Sequence, residues 1–351
     1  MRGFPDVEGG VEKHCEAIYP RMGEDFELVV LRRKPYVKGR NDNLEHISFI
    51  DLPSTRIKGF EALFHSFLCT LKIITIKPDL VHIHNIGSCL FSSMIRRAGI
   101  PIVLTYHSPN YEHKKWNRFA KALLKTCEKV AFKNASKVIY VNKFQMQKAP
   151  EWVQKKSVFI PNGIPVPNLT CGTDRLEKWG LEKNKYILAV GRITPEKGFD
   201  DLINAFNEAK LDGFKLAIAG GVEFEKGYMS KLEKISDKNK VVFTGYVYGE
   251  DLQQLYNNAG LFVLSSHNEG FPLVLLEAMS YNLSVLVSDI PATHLVTLDS
   301  NRYYPVGDSA TLAKLLKEQT KEISKVTYDL SSFDWKSIAE ETGNTFKQAI
   351  S

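Results

Sequence analysis

The chain has 351 residues, 44% of them hydrophobic, which is long enough to bury two ordinary cores. Its five cysteines are scattered and form no C-x-x-C pair, which argues against a disulfide framework or a zinc ribbon and fits a reducing cytosol. The net charge of +6 is uneven, because residues 1–165 carry 26 Lys and Arg against 15 Asp and Glu, whereas residues 166–351 carry 20 against 25. We therefore expect the two halves to face different partners.

No secretory signal pattern opens the chain, and its longest apolar stretch, residues 60–76, is interrupted by Glu61, His65 and Lys72. This stretch is too short and too broken to span a bilayer, so we predict a cytoplasmic protein.

The start of the chain departs from a common pattern, in which a doubly wound domain opens with a buried strand and a ligand-binding loop follows. Here residues 1–5 already read as that loop, which continues through Gly9 and Gly10 into a helix from about Val11. We expect that the first strand is missing because the start is late or the chain is a fragment. Its neighbours would then have unpaired backbone groups and an exposed apolar slot.

Short apolar, β-branched runs alternate with helical patterns, which is typical of parallel sheets with crossover helices. The predicted strands are residues 27–31, 47–52, 80–84, 102–106, 137–141, 157–160, 186–190, 215–219, 241–244, 261–264 and 284–287. A stretch rich in Pro, Gly and Asn, residues 161–180, divides them into two series. We predict an α/β fold with two doubly wound Rossmann-like domains, residues 1–165 and 166–334. An amphipathic helix over residues 335–351 is expected to pack back on the first domain.

A predicted helix over residues 113–133 places its basic residues on one face. These are Lys114, Arg118, Lys121, Lys125 and Lys129. This face could be exposed to solvent, or it could contact an anionic membrane surface. The positive charge of this half of the chain favours peripheral membrane contact. Nucleic acid is not expected, because no helix-turn-helix, zinc or aromatic stacking motif accompanies the charge.

The predicted strand at residues 186–190 ends in a glycine-containing loop, and a helix follows from Asp200. Arg192 and Lys197 in this loop offer one forked and one point-like cation, and the glycines let backbone approach a ligand. Because a helix N-terminus also attracts anions, we predict that these two residues bind a pyrophosphate.

A second loop carries two carboxylates, in the sequence Glu269-Gly270-Phe271-Pro272-Leu273-Val274-Leu275-Leu276-Glu277. Proline suits the first position of a helix, and a carboxylate in the apolar surroundings of Glu277 needs a partner. Two carboxylates beside an anion site suit a ligand with hydroxyls at one end and phosphates in the middle. We therefore predict a nucleotide-sugar site.

Histidines end two of the predicted strands. His82 and His84 alternate on one strand without a carboxylate or cysteine at ligand spacing, so we predict that they line the core or a cleft and do not bind a metal. His107 follows the strand at residues 102–106, and its position alone equally suits an ordinary loop residue.

An ordered set of motifs resembles the retaining GT-B glycosyltransferases of the large E-x7-E group, which is similar to family 4 and is also called group 1. The motifs of the second half are Gly191-Arg192 with Lys197-Gly198, Ala219-Gly220-Gly221, Gly245-Tyr246-Val247, and Glu269 to Glu277 with Ala278-Met279. Those of the first half are Gly9-Gly10-Val11-Glu12, Asp79 to His84, Thr105-Tyr106-His107 and Pro161-Asn162-Gly163. A single motif would be weak, but the ordered set spans nearly the whole chain.

The resemblance implies two domains facing across a cleft. In this cleft, Glu269 would contact the hydroxyls of the donor sugar and Glu277 would contact the ribose hydroxyls. His107 would lie near the anomeric carbon. The catalytic residues implied are His107, Arg192, Lys197 and Glu269. The donor-binding residues implied are Gly9, Gly10, Gly191, Arg192, Lys197, Gly220, Tyr246, Val247, Glu269, Gly270, Phe271, Pro272, Leu273 and Glu277, with Asn162 and Gly163 as weaker candidates. No metal or cofactor is expected, and catalysis would rest on positioning and electrostatics.

One turn departs from the family pattern. The family usually has Gly and Pro after the helix that contains Glu277, whereas this chain has Tyr281-Asn282-Leu283-Ser284. Asn282 can adopt the left-handed conformation in place of Gly, so we expect the turn to be preserved.

The predicted function is retaining transfer of a hexose from a nucleotide diphosphate to a saccharide or lipid-linked acceptor, in surface polysaccharide or glycoconjugate biosynthesis. Two enzyme alternatives stay open, a sugar-nucleotide epimerase and a sugar phosphorylase. A truncated, non-catalytic nucleotide-sugar-binding protein is the third.

Overall fold

The computed structural model describes residues 4, 10–37, 44, 46–55, 60–109, 118–164, 166–169, 172–222 and 226–351. The chain divides into two compact units, Met1–Gly163 with Ser332–Ser351, and Ile164–Ser331. The strands are β1 (Leu28–Arg33), β2 (Ile47–Leu52), β3 (Val81–His84), β4 (Ile102–Tyr106), β5 (Lys137–Tyr140), β6 (Ser157–Phe159), β7 (Tyr186–Val190), β8 (Lys215–Ala219), β9 (Val241–Gly245), β10 (Leu261–Leu264), β11 (Val285–Ser288) and β12 (Tyr303–Tyr304). The helices are α1 (Gly10–Ile18), α2 (Glu61–Ile76), α3 (Ser92–Arg97), α4 (Arg118–Asn134), α5 (Lys143–Lys148), α6 (Glu151–Gln154), α7 (Phe199–Ala209), α8 (Lys226–Ile235), α9 (Gly249–Asn258), α10 (Leu273–Ser280), α11 (Ser309–Gln319) and α12 (Trp335–Ile350).

The first unit contains two parallel sheets. β1 pairs with β2, and the strands β3, β4, β5 and β6 form a four-stranded sheet in that order. Among the described strands β1 and β3 each have one ladder neighbour, so each has an edge that is open in the described part of the chain. Val30 of β1, Val103 of β4 and Ile139 of β5 share one buried cluster, whereas an exposed apolar slot was expected.

The closing helix α12 belongs to the first unit. Its apolar stripe is buried, and the ring of Phe346 packs edge-on against Phe26, with ring centroids 5.7 Å apart. The centroid of the same ring lies 4.8 Å from the ring centroid of His82 in β3. The amphipathic pattern therefore marks a face that is buried against this unit.

The second unit contains one parallel sheet in the order β12-β11-β10-β7-β8-β9. Its core joins apolar residues of the sheet to those of α7 and α11, among them Leu202, Phe206, Leu312 and Leu316. β7 and β10 are neighbours in this sheet although they lie far apart in sequence. The loops that follow their carboxyl ends are therefore brought to the same edge, where open α/β sheets bind ligands.

The helix with the basic face is α4, which begins at Arg118 in the described part of the chain. Arg118, Lys125 and Lys129 are exposed, and Lys114 of the predicted face lies outside the described residues. None of the described helices is both long enough and apolar enough to cross a membrane.

Candidate functional site

Two glycine-containing loops meet at the carboxyl edge of the second sheet. The Gly191 N–H donates to the Ala219 carbonyl oxygen at 2.9 Å, and the Ile193 N–H donates to the Gly221 carbonyl oxygen at 3.0 Å. A Cβ on Gly220 would lie 1.8 Å from the carbonyl oxygen of Gly191. The loops after β7 and β8 can therefore meet backbone to backbone only because Gly220 has no side chain.

The loop after β7 is also tied to the loop after β10. Gly198 has a φ of +61°, and a Cβ there would lie 2.2 Å from the Ser265 carbonyl oxygen. The Ser265 hydroxyl donates to the Lys197 carbonyl oxygen at 2.8 Å, and the His267 N–H donates to the Glu196 carbonyl oxygen at 2.8 Å. These bonds place Lys197 directly beside the carboxylate-bearing loop.

Lys197 and Glu269 form the polar centre of this edge. Lys197 Nζ lies 2.5 Å from Glu269 Oε1, and the Ser266 hydroxyl donates to the same oxygen at 2.6 Å. The two charged side chains are only 15% and 12% exposed, so water screens their attraction less than it would at the surface. The structure thus brings together Lys197, which is predicted to bind the diphosphate, and Glu269, which is predicted to bind the donor sugar. The side chain of Arg192, in the same loop, is exposed.

Glu277 receives a hydrogen bond from a residue that the sequence analysis missed. The Tyr256 hydroxyl, on the neighbouring helix α9, donates to Glu277 Oε2 at 2.8 Å. Burial, with the nearby Glu277 charge, raises the pKa of Tyr256 well above its usual value, so the hydroxyl remains a donor at neutral pH. Glu277 therefore has the partner that its apolar surroundings demand.

The helix that contains Glu277 differs slightly at its start from the prediction. α10 begins at Leu273, and Pro272 occupies the preceding cap position with its carbonyl oxygen accepting from Leu275 N–H at 3.0 Å. Proline's missing N–H is harmless there for the same reason as at the first helical position. At the other end Asn282 has a φ of +58°, which confirms the left-handed turn expected of it.

An aromatic pair adjoins the glycine loops. The rings of Tyr246 and Tyr248 stack at 6.2 Å with an interplanar angle of 7°, and each side chain is about half exposed. A Cβ on Gly221 would lie 2.1 Å from the Tyr246 ring. Val247, Gly270 and Phe271 are partly exposed in the loops that follow β9 and β10. Their binding roles stay predictions.

The first unit collects four histidines from distant parts of the sequence. His84 Nδ1 lies 3.0 Å from His107 Nε2, so the ends of β3 and β4 bring these two rings together. His14 of α1 packs edge-on against both rings, and its Nδ1 lies 2.7 Å from the Asn162 amide oxygen. His82 completes the group, 4.2 Å from His84 between ring centroids.

These rings are neutral at physiological pH. Burial lowers the pKa of His14 to about 4 and that of His82 to about 3, and it lowers the pKa of His84 and of His107 well below the usual value. Each ring therefore has one N–H and one lone pair. The sequence offered no signal for His14, which joins the group only through the packing of α1.

Two glycines of the first-half motifs, Gly10 and Gly163, lie among the described residues. Gly10 is the first residue of α1, and Gly9 lies outside the described residues. A Cβ on Gly163 would lie 2.6 Å from the Trp335 ring, so Gly163 permits the contact of that loop with the start of α12.

Comparison with known proteins matches the two halves to two family models. Residues 173–321 match glycosyl transferases group 1, and residues 8–166 match glycosyltransferase family 4. A probable sucrose-phosphate synthase of Thermosipho melanesiensis is 26% identical, over 77% of this chain and 70% of that protein. The O-antigen chain mannosyltransferase RfbU of Salmonella typhimurium is 28% identical, over 68% of this chain and 65% of that protein.

The solved structure of Anabaena HepE with UDP and glucose superposes with a TM-score of 0.77. It is 18% identical in sequence, and the match covers 99% of this chain and 100% of that one.

Proposed function

The chain belongs to the group 1 glycosyltransferases, with a family 4 N-terminal half and the GT-B fold, and we propose that it transfers a sugar from a nucleotide diphosphate to a saccharide or lipid-linked acceptor. The contact of Lys197 with Glu269 at the carboxyl edge of the second sheet carries this proposal. Its relatives support the proposal, since they include a probable sucrose-phosphate synthase and an O-antigen chain mannosyltransferase.

The donor would replace the ion pair at this edge. Glu269 Oε1 accepts hydrogen bonds from Lys197 and Ser266, and a sugar hydroxyl can donate to the same carboxylate. A diphosphate oxygen can in turn accept from Lys197 Nζ, which is a point-like cation suited to phosphate. The donor would thus separate Lys197 from Glu269. Lys197 would gain a diphosphate oxygen as its partner, and Glu269 would gain a sugar hydroxyl. Arg192 would add a second cation to the diphosphate.

At the other end of the donor, Glu277 would accept hydrogen bonds from the ribose hydroxyls. Tyr256 fixes one of its oxygens, so the carboxylate is orientated before the donor arrives. Preorganisation of this kind reduces the entropy that binding costs.

We propose that the transfer retains the anomeric configuration. The leaving diphosphate would take the proton of the acceptor hydroxyl, while Arg192 and Lys197 stabilise the charge that develops on it. His107 is neutral, so it would act by donating or accepting a hydrogen bond and not as a cation. Most of the catalysis would then come from positioning and electrostatics.

The first experiment is to incubate the full chain with UDP-, GDP- and ADP-sugars, with and without saccharide acceptors and lipid-linked acceptors. We expect one donor to be hydrolysed slowly alone and consumed faster with an acceptor, and NMR to show a product with the anomeric configuration of the donor. An inverted product would overturn the retaining mechanism. Epimerised donor without acceptor, cleavage by inorganic phosphate, or binding without turnover would each overturn the proposed transfer.

A matched pair of lysine variants tests the donor site itself. Lys197→Met should reduce kcat/KM at least 100-fold, because it removes a charge from the diphosphate in a partly buried site. Lys231→Met is the control, since Lys231 forms an exposed ion pair with Asp200 in the same unit. Equal losses in the two variants would contradict the role of Lys197.

A further inference from the structure

A buried serine contacts the carboxylate that is proposed to bind the donor sugar. Ser266 is 1% exposed, and its hydroxyl donates to Glu269 Oε1 at 2.6 Å. We propose that Ser266 is a positioning residue, which holds Glu269 in place once Lys197 has turned to the diphosphate and so governs how strongly the site recognises the sugar of the donor. This inference rests on the proposed function and deepens it.

The two carboxylate oxygens of Glu269 differ in their surroundings. Oε1 accepts from Lys197 Nζ at 2.5 Å and also from the Ser266 hydroxyl. Within the described part of the chain, Oε2 has no hydrogen-bond partner. Because one carboxylate oxygen accepts about two hydrogen bonds, protein donors occupy Oε1 and leave Oε2 for the sugar hydroxyls.

Lys197 and Ser266 differ in how freely they can leave Oε1. The Lys197 ammonium is a point-like charge at the end of a flexible stem, so it can follow the phosphate oxygens when the donor binds. The Ser266 hydroxyl is attached directly to Cβ, so its position is set by one staggered torsion and by the backbone. After Lys197 has moved, Ser266 is therefore the donor that keeps Oε1 in place.

The backbone of Ser266 is itself fixed from the neighbouring strand β11. The Ser288 hydroxyl, at the end of this strand, donates to the Ser266 carbonyl oxygen at 2.6 Å. The Thr293 hydroxyl donates in turn to the Ser288 carbonyl oxygen at 3.0 Å. Ser288 and Thr293 are fully buried, and buried hydroxyls keep their partners. The loop after β11 thus fixes the serine that orientates Glu269.

The preceding residue shows what a purely structural serine would do. Ser265 is also buried, but its hydroxyl donates to the Lys197 carbonyl oxygen and so holds the loop after β7. Loss of that hydroxyl would loosen the loop for every ligand, with or without a sugar. Loss of the Ser266 hydroxyl should matter only where a sugar meets Glu269. The two neighbouring serines therefore form a matched pair.

The test compares the affinity of the full chain for a nucleoside diphosphate with its affinity for the corresponding nucleotide-sugar. Isothermal titration calorimetry with UDP, GDP, ADP, UDP-glucose, GDP-mannose and ADP-glucose gives both values, and their ratio isolates the contribution of the sugar. Ser266→Ala should lower this ratio about 3- to 10-fold, the equivalent of one ordinary hydrogen bond, and leave the affinity for the nucleoside diphosphate within about 2-fold of the wild type. Ser265→Ala should leave the ratio unchanged.

A second set of variants shows whether Ser266 acts through Glu269. Glu269→Ala should lower the ratio by about 10-fold or more, because a charged acceptor is lost. Ser266→Ala should cause no further loss in that background, since the two residues form one unit. Ser288→Ala keeps the Ser266 hydroxyl and frees its carbonyl oxygen, so it should lower the ratio in the same direction. Circular dichroism establishes that each variant is folded.

Two results would overturn the inference while the proposed function stands. One is a wild-type ratio in folded Ser266→Ala, or in Ser288→Ala if Ser266→Ala does not fold. The other is an equal loss from Ser266→Ala in the presence and in the absence of the Glu269 carboxylate. A wild-type chain that binds no member of the panel would overturn the proposed function, and this inference with it.

Discussion

At the scale of single residues, the hydrogen bond from Tyr256 to Glu277 allows a sharp test. Tyr256→Phe removes the hydroxyl and leaves Glu277 one donor fewer, so the carboxylate is less well orientated for the ribose. We expect donor affinity to fall about 3- to 10-fold, in keeping with the net value of one ordinary hydrogen bond, because the carboxylate itself stays in place. Isothermal titration calorimetry with the donor measures it.

Tyr186→Phe is the matched control for this change. The Tyr186 hydroxyl is equally buried in the same unit, but it donates to the Leu255 carbonyl oxygen at 2.6 Å. The two variants should lose similar stability, and only Tyr256→Phe should lose donor affinity. If both variants bind the donor equally well, Glu277 is not a donor ligand that Tyr256 orientates.

Gly198 allows a second test at this scale. Gly198→Ala would place a methyl group 2.2 Å from the Ser265 carbonyl oxygen at a φ of +61°, so both the backbone and its neighbour must shift. We expect a loss of about 3 kcal/mol in the free energy of unfolding, from overpacking and backbone strain together. Thermal and denaturant unfolding measure this loss.

The control for this glycine is Gly227 of α8, where an added Cβ would meet nothing within 4 Å. Gly227→Ala should stabilise the chain by less than about 1 kcal/mol, because alanine has the higher helix propensity and Gly227 lies in the first turn of α8. Equal stability of the two alanine variants would show that the loop after β7 can move away from Ser265.

At the scale of elements, α4 carries a test of membrane association. We propose that its exposed lysines contact anionic lipid, where each basic residue contributes about 1 kcal/mol. The double variant Lys125→Gln with Lys129→Gln should then weaken binding to vesicles of phosphatidylserine and phosphatidylcholine about 30-fold. Cosedimentation at low and at physiological salt measures the partition.

The control for α4 is the double variant Lys234→Gln with Lys238→Gln, which removes the same charge from exposed positions of the second unit. It should bind these vesicles as the wild type does. Equal losses in the two double variants would show that net charge, and not the face of α4, governs the association.

Which elements could be predicted depends on how far their signal reaches along the sequence. Each of the eleven predicted strands is found, because a buried parallel strand is a local apolar run between turn signals. β12 was missed, since the two residues Tyr303 and Tyr304 are too few to show a period. The sequence placed the start of α10 at Pro272, one residue before its observed start at Leu273, because proline suits both the cap position and the first helical position.

The site shows the same limit. Glu269 and Lys197 could be named because each lies in a local motif, and the sheet order then brings their loops together. Tyr256 of α9 and His14 of α1 lie outside every motif that the sequence shows. Their contacts arise from packing between elements that are distant in sequence. Pattern in a sequence predicts which elements form, whereas the partners of a buried polar group depend on tertiary contacts.

At the scale of the whole molecule, the proposed donor ligands lie in one unit and the histidine cluster lies in the other. Lys197, Glu269 and Glu277 lie in the unit Ile164–Ser331, whereas His14 and His107 lie in the other. Each unit also has its own buried core, so a ligand of one site stabilises mainly the elements that carry its ligands. The donor should therefore protect the second unit more than the first.

Hydrogen exchange of the full chain, followed by mass spectrometry, can locate this protection. A nucleoside diphosphate that binds, from a panel of UDP, GDP and ADP, should slow exchange first in residues 191–200 and 265–280. Exchange in residues 10–18 and 81–84 of the first unit should change less. Protection by the nucleotide that is confined to the first unit would contradict the donor site, because every proposed phosphate and ribose ligand lies in the second.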